Sequence, residues 1–198
     1  SGFEAPKAPG VGRGIAMMSR PAGPGETHAA VTLELSGSVL LQTPIFEQGS
    51  GTHTIISQIM AEEIGTTFES VTVESWDTDA VPFDSGVAGS RTIRMVVPAA
   101  HEAALAVRAE LLNTAAELNG WPVEQLVSVD TKIVNQATGE SVGWVEMLSR
   151  MPDRPIVGRA SSKQMGLPQY TTFAAQIAEV EVDPETGQIH LRKFISAH

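Results

Sequence analysis

Apolar residues along the chain alternate between two periods, and the changes of period mark out its elements. In Thr52–Ile64, Ile55, Ile56, Ile59, Met60 and Ile64 recur every three to five residues while Glu62 and Glu63 fall on another face. Gly65 follows as a stop, so the spacing predicts an amphipathic helix. Residues 98–119 predict a second helix through Ala104, Val107, Leu111, Leu112, Ala115 and Leu118, closed by Gly120. The stretch before it, 92–97, reads either as a strand with Pro98 at the first helical position or as an early helical turn bent at the proline. Elsewhere the period is two. Residues 28–35 and 38–42 flank Ser36-Gly37 as a hairpin, and 71–73 form a strand. Residues 128–134 and 141–144 bracket Thr138-Gly139 as a second hairpin, followed by a short helix to about Met151. The clearest pair is 173–182 with 188–195, alternating around Asp183-Pro184-Glu185-Thr186-Gly187, a turn with proline to preset one torsion and glycine to take a positive one. Residues 1–26 are rich in glycine and proline around a short apolar run at 15–18, which reads as a linker with an entry strand. The order predicts an α+β fold, a two-layer mixed sheet with packed helices, in the compact part 27–198.

Composition narrows what such a fold can do. With 42% hydrophobic residues in 198, the chain has enough apolar material for a core. No stretch approaches the roughly 18 uninterrupted apolar residues of a membrane span, and nothing reads as a signal peptide. The absence of cysteine excludes disulfides, thiolate metal sites, iron–sulfur ligation and cysteine nucleophiles from this chain. A formal charge of −10 with scattered lysines and arginines argues against a nucleic-acid surface.

Two glycine-rich turns could carry chemistry. Glu47-Gln48-Gly49-Ser50-Gly51-Thr52-His53-Thr54 precedes the first helix, so its amides point toward any anion placed there, and a phosphate could dock. The plainer reading is a helix cap by Thr52 or Thr54. The turn matches neither a Walker loop nor a dinucleotide fingerprint. Asp84-Ser85-Gly86-Val87-Ala88-Gly89-Ser90-Arg91-Thr92 precedes the second helical region and presents amides, a hydroxyl and an arginine; its plainer reading has Ser90 as a cap and Arg91 paired to a carboxylate. The two turns could converge on one anion. Glu47 could serve as a general base if buried, although a lone glutamate there is more often solvated or bonded to backbone amides. His28, His53, His101, His190 and His198 show no metal-ligand spacing, and Ser90 has no triad partner.

The two turns in series carry a resemblance. Residues 47–54 followed by Gln58-Ile59-Met60-Ala61-Glu62-Glu63-Ile64-Gly65 resemble the molybdopterin-binding signature of the xanthine dehydrogenase and aldehyde oxidase family of molybdenum hydroxylases. Val71-Thr72-Val73, Asp77-Thr78-Asp79, Val81-Pro82 and Gly86-Val87-Ala88-Gly89-Ser90-Arg91 follow in that family's order. Residues 175–187 resemble its late hairpin, and Gly12-Arg13-Gly14-Ile15-Ala16 is similar to its entry strand. The resemblance implies that Gln48, Gly49, Ser50 and Gly51 line the pyranopterin side, and that Gly89, Ser90 and Arg91 approach the cofactor from the second loop. It implies molybdopterin, often the cytosine dinucleotide form in bacteria, and hydroxylation of aldehydes or aromatic N-heterocycles with water-derived oxygen. Ser50 stands where the family commonly has glutamine, which shortens the reach of any side-chain hydrogen bond there. Pro98 replaces the small residue usual at its position.

The family's catalytic glutamate, in a Gly-x-Gly-Glu setting, has no match here, nor does the Gly-Gly loop that normally precedes this region. His198 falls where a family chain would continue into an Asp-x-Gly segment and an Asn-Pro pair. A partial domain of a longer or split large subunit is therefore expected, with no catalytic residue of its own and with no cofactor bound when alone. Its expected partners are the remaining segments of that subunit, iron–sulfur and FAD subunits and a small-molecule substrate. An unfinished sheet edge would favour self-association. A cytoplasmic location is expected, with the periplasm left open. The rival reading is a non-catalytic binding or interaction module on the same fold.

Overall fold

A computed structural model describes residues 2–77, 79, 82–165 and 167–198, the side chains of 167–170 excepted. The chain runs β1 (Val11–Ala22), β2 (Gly25–Leu33), β3 (Val39–Thr43), α1 (Thr52–Ile64), β4 (Val71–Ser75) and α2 (Thr92–Asn119). It continues β5 (Leu126–Val129), β6 (Lys132–Asn135), β7 (Ser141–Gly143), α3 (Trp144–Ser149), β8 (Ile156–Gln164), β9 (Leu167–Val182) and β10 (Ile189–Ala197). These elements fall into two compact units, one made of Ser1–Ala22 with Leu167–His198 and the other of Gly23–Gly166.

The larger unit is built on a mixed sheet of order β4-β3-β2-β8, with β3 and β4 parallel and the other pairs antiparallel. Alternation sends Ala29, Val31, Leu33, Val39, Leu41 and Ile156 into the core, where Ile56, Met60 and Ile64 of α1 and Val107 and Leu111 of α2 meet them. Burying each large aliphatic side chain contributes about 1.5–3 kcal/mol. The alanines of α2, Ala99, Ala100, Ala103 and Ala104, are fully buried and let that helix approach the sheet closely. The α+β reading with helices layered on a mixed sheet therefore holds.

The helix predicted over Thr52–Ile64 has those bounds. The second helix starts earlier, at Thr92, and Pro98 lies inside it, which decides the ambiguity over 92–97 in favour of helix. Proline cannot donate to the carbonyl four residues before it, that of Arg94. The Gln164 side chain from β8 donates to that carbonyl at 3.2 Å instead, while Arg94 Nη1 donates to Gln164 Oε1 at 2.7 Å. Gln164→Ala is therefore expected to lower stability by about 1–2 kcal/mol, read as a shift of the urea midpoint, because the Arg94 carbonyl loses its donor and the Arg94 guanidinium loses one acceptor while keeping the Gly23 carbonyl.

Residues 128–134, expected as one strand, form two. Asp130 (φ 48°) and Thr131 (φ 59°) are left-handed, as a two-residue type I′ turn requires, and they reverse the chain between β5 and β6. The β6–β7 hairpin around Thr138-Gly139 follows, giving a small sheet of order β5-β6-β7.

The smaller unit is an antiparallel sheet of order β1-β9-β10. The predicted hairpin of 173–182 with 188–195 is present as β9 and β10. The segment read as a linker with an entry strand at 15–18 is strand from Val11 to Ala22, paired along its length with β9. Arg13 Nε meets Glu179 Oε2 at 2.5 Å across that pair, and the pairing holds the Glu179 carboxyl below its usual range. Pro21 is tolerated because β1 lies at the sheet edge. Ile15, Met17, Phe173, Leu191 and Phe194 stay exposed within this unit.

Candidate functional site

The first glycine turn connects β3 to α1, and the second connects β4 to α2. Because β3 and β4 are parallel neighbours, both turns leave the same end of the sheet. They form an open groove of about 440 Å³. Gln48, Ser50, Ser90 and Thr92 supply its polar groups, and Val87 and Ile93 its apolar wall. The structure thus brings Gln48, Ser50, Gly89 and Ser90 of the sequence-predicted set onto one groove.

Gly49 (φ 83°) and Gly51 (φ 73°) are both left-handed, and an added Cβ at either would meet nothing within 4 Å. Glycine is needed there for torsion, and the space in front of the turn is open. Three of the amides on which a phosphate could dock are bonded within the turn itself. Glu47 Oε1 accepts from Ser50 N at 2.8 Å and Gly51 N at 3.1 Å, and Oε2 accepts from His53 N at 3.0 Å. The cap of α1 is consequently this carboxylate, and neither Thr52 nor Thr54 caps the helix through its side chain. The His53 amide foremost, with those of Gly51, Ser50 and Gly49, lowers the Glu47 pKa to about 2. A carboxylate depressed in this way supports the turn at every pH above the ordinary glutamate value and loses that support only as pH falls toward about 2. It remains ionised at neutral pH and, with its pKa near 2, is a weak proton acceptor there. Ser50 Oγ and Thr52 Oγ1 lie 2.8 Å apart, and His53 Nε2 sits 2.9 Å from the Ile45 carbonyl, so the turn is braced from both ends.

Arg91 is not among the residues lining the groove. Its guanidinium donates to three backbone carbonyls: Gly86 at 2.9 Å through Nε, Pro24 at 2.9 Å through Nη1, and Ser85 through Nη2. It pairs with no carboxylate, contrary to the plainer expectation, and acts as the brace of the second loop. That brace is needed because Gly89 (φ 57°) and Ser90 (φ 58°) are consecutive left-handed residues, a conformation that Ser90 adopts only at some cost. Gly23 N donates to Gly89 O at 2.9 Å and fixes the loop from the other side.

Thr92 and Ile93 belong to the site but gave no signal of it in the sequence, since their stretch read only as an element of undecided type. Thr78 and Val81 of the motif series lie outside the described residues. Among the described residues, no group of three or more His, Asp and Glu side chains is placed to hold a metal ion. His101 Nε2 is 3.1 Å from Glu63 Oε1, and His28 Nε2 is 3.0 Å from the Phe83 carbonyl.

A mixed sheet with two glycine turns opening at one end of a parallel strand pair, beside a groove of neutral hydrogen-bonding groups, defines an α+β ligand-binding domain. Residues 3–198 match the family model of the molybdopterin cofactor-binding domain, and the chain belongs to that family. It is 28% identical over 187 residues to the aldehyde oxidoreductase molybdenum-binding subunit PaoC of Escherichia coli, covering 94% of this chain and 24% of that protein. It is 26% identical over 194 residues to subunit gamma of the 6-hydroxypseudooxynicotine dehydrogenase complex of Paenarthrobacter nicotinovorans, covering 93% of this chain and 24% of that one. Quinoline 2-oxidoreductase from Pseudomonas putida 86 shares the fold with a TM-score of 0.63 at 18% identity, over 94% of this chain and 26% of that chain. The chain spans about a quarter of the length of these relatives. Among the described residues no helix is long and apolar enough to cross a membrane.

Proposed function

We propose that this chain supplies two loops of the molybdopterin site in a larger molybdenum hydroxylase acting on aldehydes or aromatic N-heterocycles. The observation that carries this reading is the shared groove, in which Gln48 and Ser50 of one loop face Gly89 and Ser90 of the other. Its donor set fits a pterin, whose ring edge alternates hydrogen-bond donors and acceptors. The Gln48 amide offers both, and the Ser50, Ser90 and Thr92 hydroxyls each donate and accept. Gly49 and Gly51 hold the first loop open in front of that edge, and Arg91 acts behind the second loop by holding its carbonyls. When bound, the molybdenum cofactor supplies the redox chemistry. The cofactor in this reading is the cytosine dinucleotide form that the sequence resemblance implies. That one relative is a subunit of a dehydrogenase complex supports iron–sulfur and flavin partners. The exposed apolar groups of the β1-β9-β10 sheet support a covering by the rest of the large subunit, or by a second copy when this chain is alone.

The chain alone is expected to be catalytically silent, because the carboxylate beside the groove, Glu47, has its pKa lowered to about 2 by backbone amides and is a feeble base. Molybdenum content and aldehyde-dependent dye reduction on the purified 198-residue chain test this, and stoichiometric metal or turnover would refute it. In the assembled subunit, Ser50→Trp fills the groove and is expected to reduce pterin content at least tenfold with an unchanged circular dichroism spectrum. Full pterin content in that variant would remove the groove from the cofactor site.

A further inference from the structure

A second cavity of the larger unit, of about 330 Å³, shares no residue with the groove, and His28, Trp76, Pro82, Arg159 and Ser161 contribute to its lining. Register sets His28 opposite Ser161 and Ala30 opposite Arg159 across β2 and β8, so these side chains share one face of the sheet. A Cβ on Gly158 would strike α2, so Arg159, the next residue, faces away from that helix. The chain after β4 is tied down on this side: Trp76 N donates to the Thr43 carbonyl and Ser85 N to the Glu26 carbonyl, both at 3.0 Å. His28 Nε2 carries a proton, because its neighbour at 3.0 Å, the Phe83 carbonyl, can only accept. The Arg159 guanidinium lies 5.7 Å from the centre of the Trp76 ring. Every other arginine of the larger unit holds an oxygen of the protein. Arg91 and Arg94 hold carbonyl and amide oxygens, and Arg108, Arg150 and Arg154 hold carboxylates. Among the described residues Arg159 has no such partner, in a chain of net charge −10. Asp77, next to Trp76, accepts the Asp79 amide at 2.8 Å, and Glu26 pairs with Lys163 at 3.2 Å.

We propose that Arg159, held against Trp76, is the recognition point of a binding site for a free, small monocarboxylate with a flat apolar body. The inference does not rest on the cofactor reading. An indole attracts the guanidinium but offers it no acceptor lone pair, so the contact with Trp76 leaves all five N–H donors of Arg159 unspent. A planar carboxylate matches that fork with two parallel hydrogen bonds. The Ser161 hydroxyl, which bonds no other described group, adds a donor beside it, while Trp76 and Pro82 supply apolar wall. One unpaired cation balances one negative charge. A phosphate dianion would bring a second charge that nothing here offsets, because Lys163 is committed to Glu26. The volume lies at the lower end of small-molecule sites and suits one ring with its carboxylate better than a segment of chain.

Benzoate titrated into the 15N-labelled chain tests this, followed through the Trp76 indole N–H and the backbone amides of Arg159 and Ser161. Saturable shifts at millimolar benzoate are expected, with benzamide, its uncharged isostere, at least about tenfold weaker. Arg159→Gln is expected to weaken benzoate at least about tenfold, and Arg159→Lys nearly as much, because an ammonium keeps the charge but loses the fork. Arg159 is exposed on β8, and should Arg159→Gln nevertheless fail to fold, Arg159→Lys is read by the same criterion. Shifts that do not saturate in the parent chain, equal binding of benzamide, or undiminished binding in a folded Arg159→Gln chain would each overturn the proposal. So would benzoate binding that vanishes in the assembled subunit, since Arg159 would then hold a carboxylate of the protein itself. Ser50→Trp leaves benzoate binding unchanged whatever becomes of its pterin content, which separates this site from the cofactor groove.

Discussion

Gly158→Ala is expected to destabilise the larger unit by more than about 3 kcal/mol, read as a collapse of the urea midpoint or as insoluble expression. The residue lies in β8 where α2 crosses the sheet. A Cβ there would fall within the Ala103 carbonyl oxygen, 3.1 Å from the Ala103 carbonyl carbon and 3.0 Å from Val107 Cγ2. The obstacle is the backbone of a helix whose inner face is fully buried, so no side chain can swing aside. Relief requires moving α2 off the sheet, which would open the layer formed by Ala99, Ala103 and Val107. Moving α2 also pulls on Arg94 and its Gln164 partner at the base of the second loop. A Gly158→Ala chain with the parent midpoint would show that α2 and β8 are not packed as described.

Arg91→Ala in the assembled subunit is expected to lower pterin content more than tenfold while lowering stability by only about 2 kcal/mol. Hydrogen bonds from a charged donor contribute about 1.5–3 kcal/mol each when buried. The three made by Arg91 are partly exposed, so their sum is far smaller than that figure suggests. Their local effect is larger than their global one, because they hold Gly86, Ser85 and Pro24 around a loop whose residues 89 and 90 are both left-handed. Without the clamp that loop relaxes, and a shift of about an ångström in Ser90 is enough to lose a hydrogen bond to a ligand. Arg91→Lys is expected to behave like the alanine variant, since one ammonium cannot span three carbonyls that the planar guanidinium reaches together. Full pterin content in Arg91→Lys would show that the charge, and not the fork, is what the site uses.

The elements legible in the sequence were those whose period ran long enough to exclude the alternative. Thr52–Ile64 carried more than three turns of helical spacing, and the β9–β10 hairpin carried alternation on both sides of a proline–glycine turn. Strand β8 gave no such signal. Its inward positions Gly158, Ala160 and Ser162 are small or polar because a helix presses against them, so the hydrophobic contrast that marks a strand is missing where packing is tightest. Strand β5 was merged with β6 because Asp130-Thr131 lacks the glycine that usually announces a tight turn. At the site, the loop residues were legible as motifs, and their convergence follows from the parallel β3–β4 pair. What no pattern revealed was the direction of side chains: Arg91 facing backward onto carbonyls, and Glu47 facing its own helix. Both depend on torsions that adjacent residues adopt only in the folded chain.

The pairing of β2 with β8 has a consequence for the order in which the site forms. β3, α1 and β4 are contiguous and can assemble from local contacts, but β8 reaches β2 only after α2, the small sheet and α3 have been made. Closing that long loop is the entropically expensive contact of the unit, which places it late in folding. Gln164 arrives with β8, and until it does the Arg94 carbonyl beneath Pro98 has no donor and the first turn of α2 is unsupported. The wall of the groove formed by Thr92 and Ile93 therefore acquires its shape last, so a nascent chain becomes competent to receive a ligand only after its sheet has closed.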